Sequence, residues 1–387
     1  MPRTHWREDW LPSAINALLM IVTAATAFYL PVFMREGLGF GGTEIGLLFA
    51  LSSIAGVLAA VPAGLSNDRL SSRTLIVFAL LVQAVCLFLM GQIALFALFA
   101  VTFFTWSLST NLYKVSLDVQ VMRTQSEAGL NQRVYLYQAL RFTGLAAGVI
   151  PAGYFLSRFD FSLTLAGIGL IVLLLAVYAT TLRPTPVKAV RLADYAADLR
   201  RPTVLAFAFW LFLFAAHWGA EATCYGLFLK TDLKLSLQEM GGYFACEYSI
   251  LGVLFTVLFR KRATFGAEGL KRVAIFGLLL SGLGQMGMVL HPVWLSLAFR
   301  TVHGLGDGLM FVIFYLGIAR LFAIERVGGN AGFINLCTML GSVVGSLLSG
   351  PIGEAYGYIH PLWISGALTL LLILPLLGRK RNALMRL

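Results

Sequence analysis

Residues 28–46 read FYLPVFMREGLGFGGTEIG, and residues 223–241 read TCYGLFLKTDLKLSLQEMG. At a constant offset of 195, Phe33 meets Phe228, Arg35 meets Lys230, Leu38 meets Leu233, Glu44 meets Glu239 and Gly46 meets Gly241. Phe49 and Ala50 then fall on Phe244 and Ala245, and one residue of slip brings GVL at 56–58 onto GVL at 252–254. Each stretch follows one long apolar run and precedes another, so the match lies at equivalent places in the chain. The sequence is written as two related halves.

Working outward, the 387 residues are 59% hydrophobic and only 12% charged, where a soluble domain keeps about a quarter of its residues charged. Mean hydropathy is +0.83. About 20 apolar residues carry a helix across the hydrocarbon core. Stretches that meet this need lie near 11–34, 43–65, 74–92, 95–121, 134–156, 161–182, 203–229, 240–259, 272–290, 293–319, 330–352 and 358–378. The runs are too long and too continuous for barrel strands. The expected fold is an all-α membrane protein of twelve transmembrane helices in two pseudo-symmetric six-helix bundles, 1–182 and 203–387, joined by a linker at 183–202.

Charge gives the orientation. With both termini cytoplasmic, cytoplasmic segments hold 22 of the 29 Lys and Arg residues, including the tail with Arg379, Lys380 and Arg381. The outer loops hold Arg35, Arg158, Lys230 and Lys234. This follows the positive-inside bias, so a net charge of +11 reflects basic inner loops and not a nucleic-acid partner. The first apolar run is too long for a signal-peptide core. The cysteines Cys86, Cys224, Cys246 and Cys337 all fall in apolar stretches with no C-x-x-C pair. The five histidines show no H-x-x-x-H spacing, so no metal, cofactor or enzymatic chemistry is expected.

Between the second and third spans the chain reads GLSNDRLSSR (64–73). This resembles the signature loop of the major facilitator superfamily, a glycine four residues before Asp-Arg and then a further basic residue. The resemblance extends in architecture to the whole chain. It implies that Gly64, Asp68, Arg69 and Arg73 form a cytoplasmic gate that latches helix ends in the outward-open state. The matching loop of the second half, FRKRATFGAEGLKR (259–272), is basic but has no such aspartate, so the expected latch is asymmetric. The fifth span carries GLAAGVIPAG (144–153) and the eleventh GSVVGSLLSGPIG (341–353), with small residues four apart that permit close helix contact.

Ionisable groups within spans are costly and are functional candidates. The fourth span offers Asn111, Lys114 and Asp118, the fifth Arg141, the seventh His217 and Glu221, the eighth Glu247, and the tenth Arg300, His303 and Asp307. Residues at i, i+3 and i+7 share a helix face, so the fourth and tenth spans, equivalent in the repeat, each present a polar stripe. Lys114 and Asp118 are also spaced as an ion pair. In the tenth span, RTVHGLGD (300–307) looks like the lactose-permease branch of the superfamily, the oligosaccharide–proton symporters, as do Glu247, Asp118 and Arg141 in RFTGLAAG (141–148). That resemblance implies substrate contacts at Asp118 and Arg141, a link through Glu247, and a proton on Asp307 beside His303 and Arg300.

There are departures. The carboxylate follows the histidine by four residues and not three, the ninth span offers Gln285 where the branch has an arginine, and the fifth span lacks the branch's tryptophan. The expectation is therefore a monomeric, multi-pass transporter of the cell (inner) membrane, without a cofactor other than a coupling proton. It would move a small polar organic solute by proton symport. The solute would meet Asn111, Lys114, Asp118, Arg141, His217, Glu221 and Glu247. The proton would be held by Arg300, His303 and Asp307. The alternative is a proton-coupled efflux antiporter of amphipathic compounds.

Overall fold

The computed structural model describes residues 5–40, 42–123, 129–185 and 192–377. The basic tail with Arg379, Lys380 and Arg381 and linker residues 186–191 lie outside these. Every regular element among the described residues is helical. The helices are α1 (His5–Val32), α2 (Gly42–Asn67), α3 (Ser72–Met90), α4 (Phe96–Arg123), α5 (Gly129–Arg158), α6 (Phe161–Ala179), α7 (Leu192–Leu199), α8 (Pro202–Ala220), α9 (Gly226–Thr231), α10 (Leu237–Arg260), α11 (Ala267–Gly287), α12 (Val293–Leu321), α13 (Val327–Tyr356), α14 (Ile359–Leu371) and α15 (Leu374–Leu377).

Each of the twelve predicted stretches overlaps helical backbone over most of its described length. Among the described residues, eight helical runs are long and apolar enough to cross a membrane, and Trp10–Ala24 is a shorter apolar run. The predicted stretches on α4, α5 and α11 miss that standard. They carry the polar cargo, such as Lys114, Asp118 and Arg123 on α4 and Arg133 and Arg141 on α5. Large apolar side chains point outward throughout: Val85 is 59% exposed, Phe209 62% and Leu347 69%. A lipid-facing surface has this character, and a water-facing one does not.

The chain divides into two compact units. One comprises Met1–Val190 with Ile324–Phe333, the other Arg191–Ala323 with Ile334–Leu387. Within the first, α1 packs on α5 and α6, α3 on α4 and α6, and α2 on α4. Within the second, α11 packs on α12 and α14, α14 on α8, and α10 on α12. α8 lies against α13. With α8, α10, α11, α12, α13 and α14 taken as counterparts of α1 to α6, the two pairing schemes are the same. The sequence repeat is therefore a repeat of internal architecture.

Glycines set the closest approaches. Any Cβ on Gly144 or Gly148 would meet the backbone of Ala17 or Ile21 on α1. Any Cβ on Gly341 or Gly345 would meet the carbonyls of Phe212 or Ala216 on α8. The small-residue patterns read in the fifth and eleventh spans are thus the contact faces of α5 and α13.

The linker is less plain than its polarity suggests. It contains the short helix α7, with Tyr195 and Asp198 turned inward. Upstream, Thr185 Oγ1 accepts from the Ser72 N–H at 3.0 Å and so tethers the linker to the start of α3.

Gly345→Val tests the α8–α13 contact. A branched side chain there must push backbone apart, at about 1–3 kcal/mol. The thermal unfolding midpoint of the purified protein in detergent should fall. A midpoint equal to that of the parent would contradict the close approach.

Candidate functional site

The second unit gathers six ionisable side chains into one buried cluster. Arg300 lies at its centre. Its Nη1 donates to Glu221 Oε1 at 2.7 Å and its Nη2 to Glu247 Oε2 at 2.6 Å. The guanidinium carbon lies 4.3 Å from the ring centroid of Tyr225, a cation–π placement. One turn on, His303 Nε2 stands 2.7 Å from Glu221 Oε1 and 3.8 Å from Asp307 Oδ1. The approach to Glu221 is off the line of the ring N–H, so it is an ion-pair contact and not a directed hydrogen bond. Asp307 accepts from Trp218 Nε1 at 2.7 Å and from Ser281 Oγ at 2.7 Å, and faces His217 Nε2 at 3.2 Å. His217 and His303 are both fully buried.

Local backbone explains how four helices reach one point. The stripe Arg300, His303 and Asp307 follows from α-helical spacing on α12. Gly304, on the same helix, has Glu247 Cγ 3.5 Å from where its Cβ would stand, so α10 comes close enough for Glu247 to reach Arg300. Gly284 and Gly306 bring α11 and α12 together backbone to backbone, His303 against the one and Ser281 against the other. After Ala220 the backbone widens into a π-helical turn, Glu221–Tyr225. Such turns are uncommon and recur at functional sites. This one begins with the carboxylate that takes both Arg300 and His303.

The sequence reading assigned His217, Glu221 and Glu247 to solute and Arg300, His303 and Asp307 to the proton. The structure does not keep these sets apart: all six interlock. It also adds Ser281 and Trp218. Gln285, the polar group singled out in the ninth span, instead donates to Ser365 Oγ at 2.9 Å on α14. His217, His303 and Asp307 bring donor atoms within 4.8 Å of one another, which linear histidine spacing did not foreshadow. Trp218 and Ser281 already donate to both oxygens of Asp307, so the group is built as a hydrogen-bonded ion-pair site.

In the first unit, Asp118 is buried and accepts from Tyr137 Oη at 2.9 Å. The fields of Asp118 and Arg141 both reach Tyr113 and Lys114, which places the four residues in one region of α4 and α5. Lys114 is exposed, unlike Asp118, its expected ion-pair neighbour. Asn111 Nδ2 donates to Ser107 O within α4 at 2.9 Å.

The loop motif forms a second polar node of this unit. Asp68 Oδ1 accepts from Gly328 N at 3.1 Å, and Oδ2 from Gly329 N at 2.6 Å. These are first-turn N–H groups of α13, which have no partner within their own helix, and a helix N-terminus favours negative charge. Arg123, at the end of α4, forms a buried ion pair with Asp68. It also donates to Asn67 O at 2.6 Å, Ile324 O at 3.1 Å and Glu325 O at 3.0 Å. Gly64 sits against the backbone of Gly328. Arg69 is exposed, and Arg73 reaches Leu182 O at 3.5 Å. Asp68 thus forms its buried ion pair with Arg123, a residue outside the motif.

A family model described as Major Facilitator Superfamily matches residues 13–267 and 209–384. No curated protein matches the sequence significantly. Among solved structures, the human organic anion transporter TETRAN superposes with a TM-score of 0.79 at 14% identity, covering 97% of this chain and 100% of that one. The fucose:proton symporter FucP of E. coli gives 0.74 at 15% identity, covering 97% and 100%. The nucleoside transporter NupG gives 0.64 at 15% identity, covering 95% and 98%. At such identities these likenesses speak for the fold.

Arg123→Gln should leave the Asp68 carboxylate buried without its cation, a loss of about 3–5 kcal/mol for a broken buried pair. Thermal unfolding in detergent should show the drop, and the double variant Asp68→Asn with Arg123→Gln should recover part of it. Equal midpoints for Arg123→Gln and the parent would contradict the buried pair.

Proposed function

The chain belongs to the Major Facilitator Superfamily, and from that premise we propose that it is a proton-coupled symporter of a small polar organic solute, working by alternating access. It is a multi-pass membrane transporter and not an enzyme. The proposal adds twelve crossings with both termini cytoplasmic, residence in the cell (inner) membrane as a monomer, and a proton as the coupling ion.

The observation that carries proton coupling is the cluster around Arg300. Ionisable side chains buried in a spanning segment are expensive to keep, and here three carboxylates, two imidazoles and a guanidinium share one hydrogen-bonded group. Histidine changes its charge near physiological pH, which suits a group that takes up and releases protons. The Asn111, Lys114, Asp118 and Arg141 region is the proposed solute contact. Its two cations set against one carboxylate favour a solute bearing hydroxyl or carboxylate oxygens. The Asp68–Arg123 node is the proposed gate, whose hold on the start of α13 would form and release during the cycle. Bound ligands bias such a cycle only through unequal affinity for its states.

The test is a pH-sensitive dye trapped in proteoliposomes while sugars, nucleosides, aromatic acids, peptides and cationic dyes are added outside. Solute-triggered acidification of the lumen, lost in Asp307→Asn while solute exchange persists, is the expected result. Alkalinisation would point to antiport. Solute uptake without proton movement would end the proton reading. Arg141→Ala should weaken solute affinity about tenfold or more, since a hydrogen bond to a charged group is worth about 1.5–3 kcal/mol. Unchanged affinity would place the solute elsewhere.

A further inference from the structure

From the hydrogen-bond directions in the Arg300 cluster we infer that the second unit binds two protons, one on each of two histidines, at His303 against Glu221 and at His217 against Asp307. The inference deepens the symport reading and rests on the same cluster.

The argument begins with the ring nitrogens that face away from the carboxylates. His303 Nδ1 lies 2.8 Å from the backbone carbonyl of Ser281, and His217 Nδ1 contacts the backbone carbonyl of Phe214. A carbonyl oxygen only accepts, so each Nδ1 is an N–H donor. A neutral imidazole has one donor nitrogen and one acceptor nitrogen. Were either ring neutral, its bare Nε2 would stand close to a carboxylate oxygen, at 2.7 Å for His303 and Glu221 and at 3.2 Å for His217 and Asp307. Two acceptors at those distances repel. Each pair therefore holds one proton.

The neighbours decide which partner carries it. Asp307 already accepts from Trp218 and from Ser281, each at 2.7 Å. Glu221 Oε1 accepts from Arg300 at 2.7 Å. Carboxyl oxygens so furnished with donors stay ionised, so the protons reside on the rings. The charges then balance: Arg300 and two imidazolium rings against Glu221, Glu247 and Asp307. Loss of one proton leaves the cluster one negative charge in excess, and loss of both leaves two. In surroundings of low polarity that imbalance is costly. Emptying the site therefore favours a compensating cation or a rearrangement of the helices that carry it.

Among the described residues of the second unit, the other ionisable groups on the packed helices are placed as follows. Beside Ser281, α11 has Glu268, Lys271 and Arg272 at its N-terminal end. In α14 the one ionisable residue is His360, which lies against Tyr356. From α10, Glu247 makes an ion pair with the cluster, and Tyr243 on that helix donates to Val293 O at 2.6 Å. Tyr225 covers Arg300 with its ring. On α13, Glu354 is exposed.

The experiment is nitrogen-15 NMR of the histidine-labelled full chain in lipid nanodiscs at neutral pH. Nitrogen shifts separate an imidazolium, with both nitrogens protonated, from a neutral ring with one bare nitrogen. The expected spectrum has two solvent-protected imidazolium signals, one lost in His217→Gln and the other in His303→Gln. If a variant fails to fold, protection from exchange in deuterated water still picks out the two fully buried rings in the parent protein. A bare-nitrogen signal from either protected ring would overturn the two-proton site. Two imidazolium rings in a protein whose solute transport moves no proton would leave this inference standing and remove the symport reading. One neutral ring with proton-coupled transport intact would do the reverse.

Discussion

A guanidinium in the middle of a membrane helix cannot shed its charge, and the second unit is organised around that fact. Arg300 is 3% exposed. Left alone in such a place, an ion costs several kcal/mol. Glu221 and Glu247 must therefore come to it, and they belong to different segments. α10 can approach because α12 has glycine at Gly304, and at Gly308 it meets only the methyl ends of Leu251 and Leu254. The ring of Tyr225 closes the remaining face. His303 and Asp307 follow on the same helix face as consequences of spacing, and Ser281 and Trp218 then complete Asp307.

The two units answer the same problem with different chemistry on one scaffold. Both pair their helices alike, and both use glycine where the first helix of the bundle meets the fifth. In the first unit Arg123 ends α4 beside an aspartate, and the pair caps another helix. At the corresponding end of α12, Arg320 donates to the backbone carbonyl of Phe265, because the second loop offers no aspartate. The first loop thus supplies an aspartate to the arginine that ends α4, and the second loop has no aspartate to supply.

Much of this was legible in the sequence. Long apolar runs announced the helices, and the offset of 195 announced the repeat. The spacing of Arg300, His303 and Asp307 by itself puts them on one helix face. What the sequence hid depends on which helix faces touch. Ser281 is one hydroxyl among many in apolar helices, and only the glycine contacts of α11 with α12 select it over Gln285. Arg123 fell just beyond a predicted span and read as one more inner-loop cation, while its carboxylate partner lies 55 residues away. The contact between the groups read as a solute set and those read as a proton set was hidden for a related reason. Spacing reports a face within one helix and says nothing of which faces meet. The helix α7 was masked by the polarity of its surroundings, a common fate for short amphipathic segments.

The wide turn at Glu221–Tyr225 also makes chain length itself a determinant. An α-helix advances about 100° per residue, so the phase of everything after the turn depends on how many residues it contains. Downstream lie Phe228 and Leu229, which form an apolar core with Met288, Val289 and Leu362. A one-residue insertion carried at α-helical pitch would swing these side chains round the helix axis by about 100°, while His217 upstream kept its bearing. Substitutions within the turn can be graded and local, but insertions cannot. Among descendants of this chain, the five residues from 221 to 225 should vary in letter far more freely than in number.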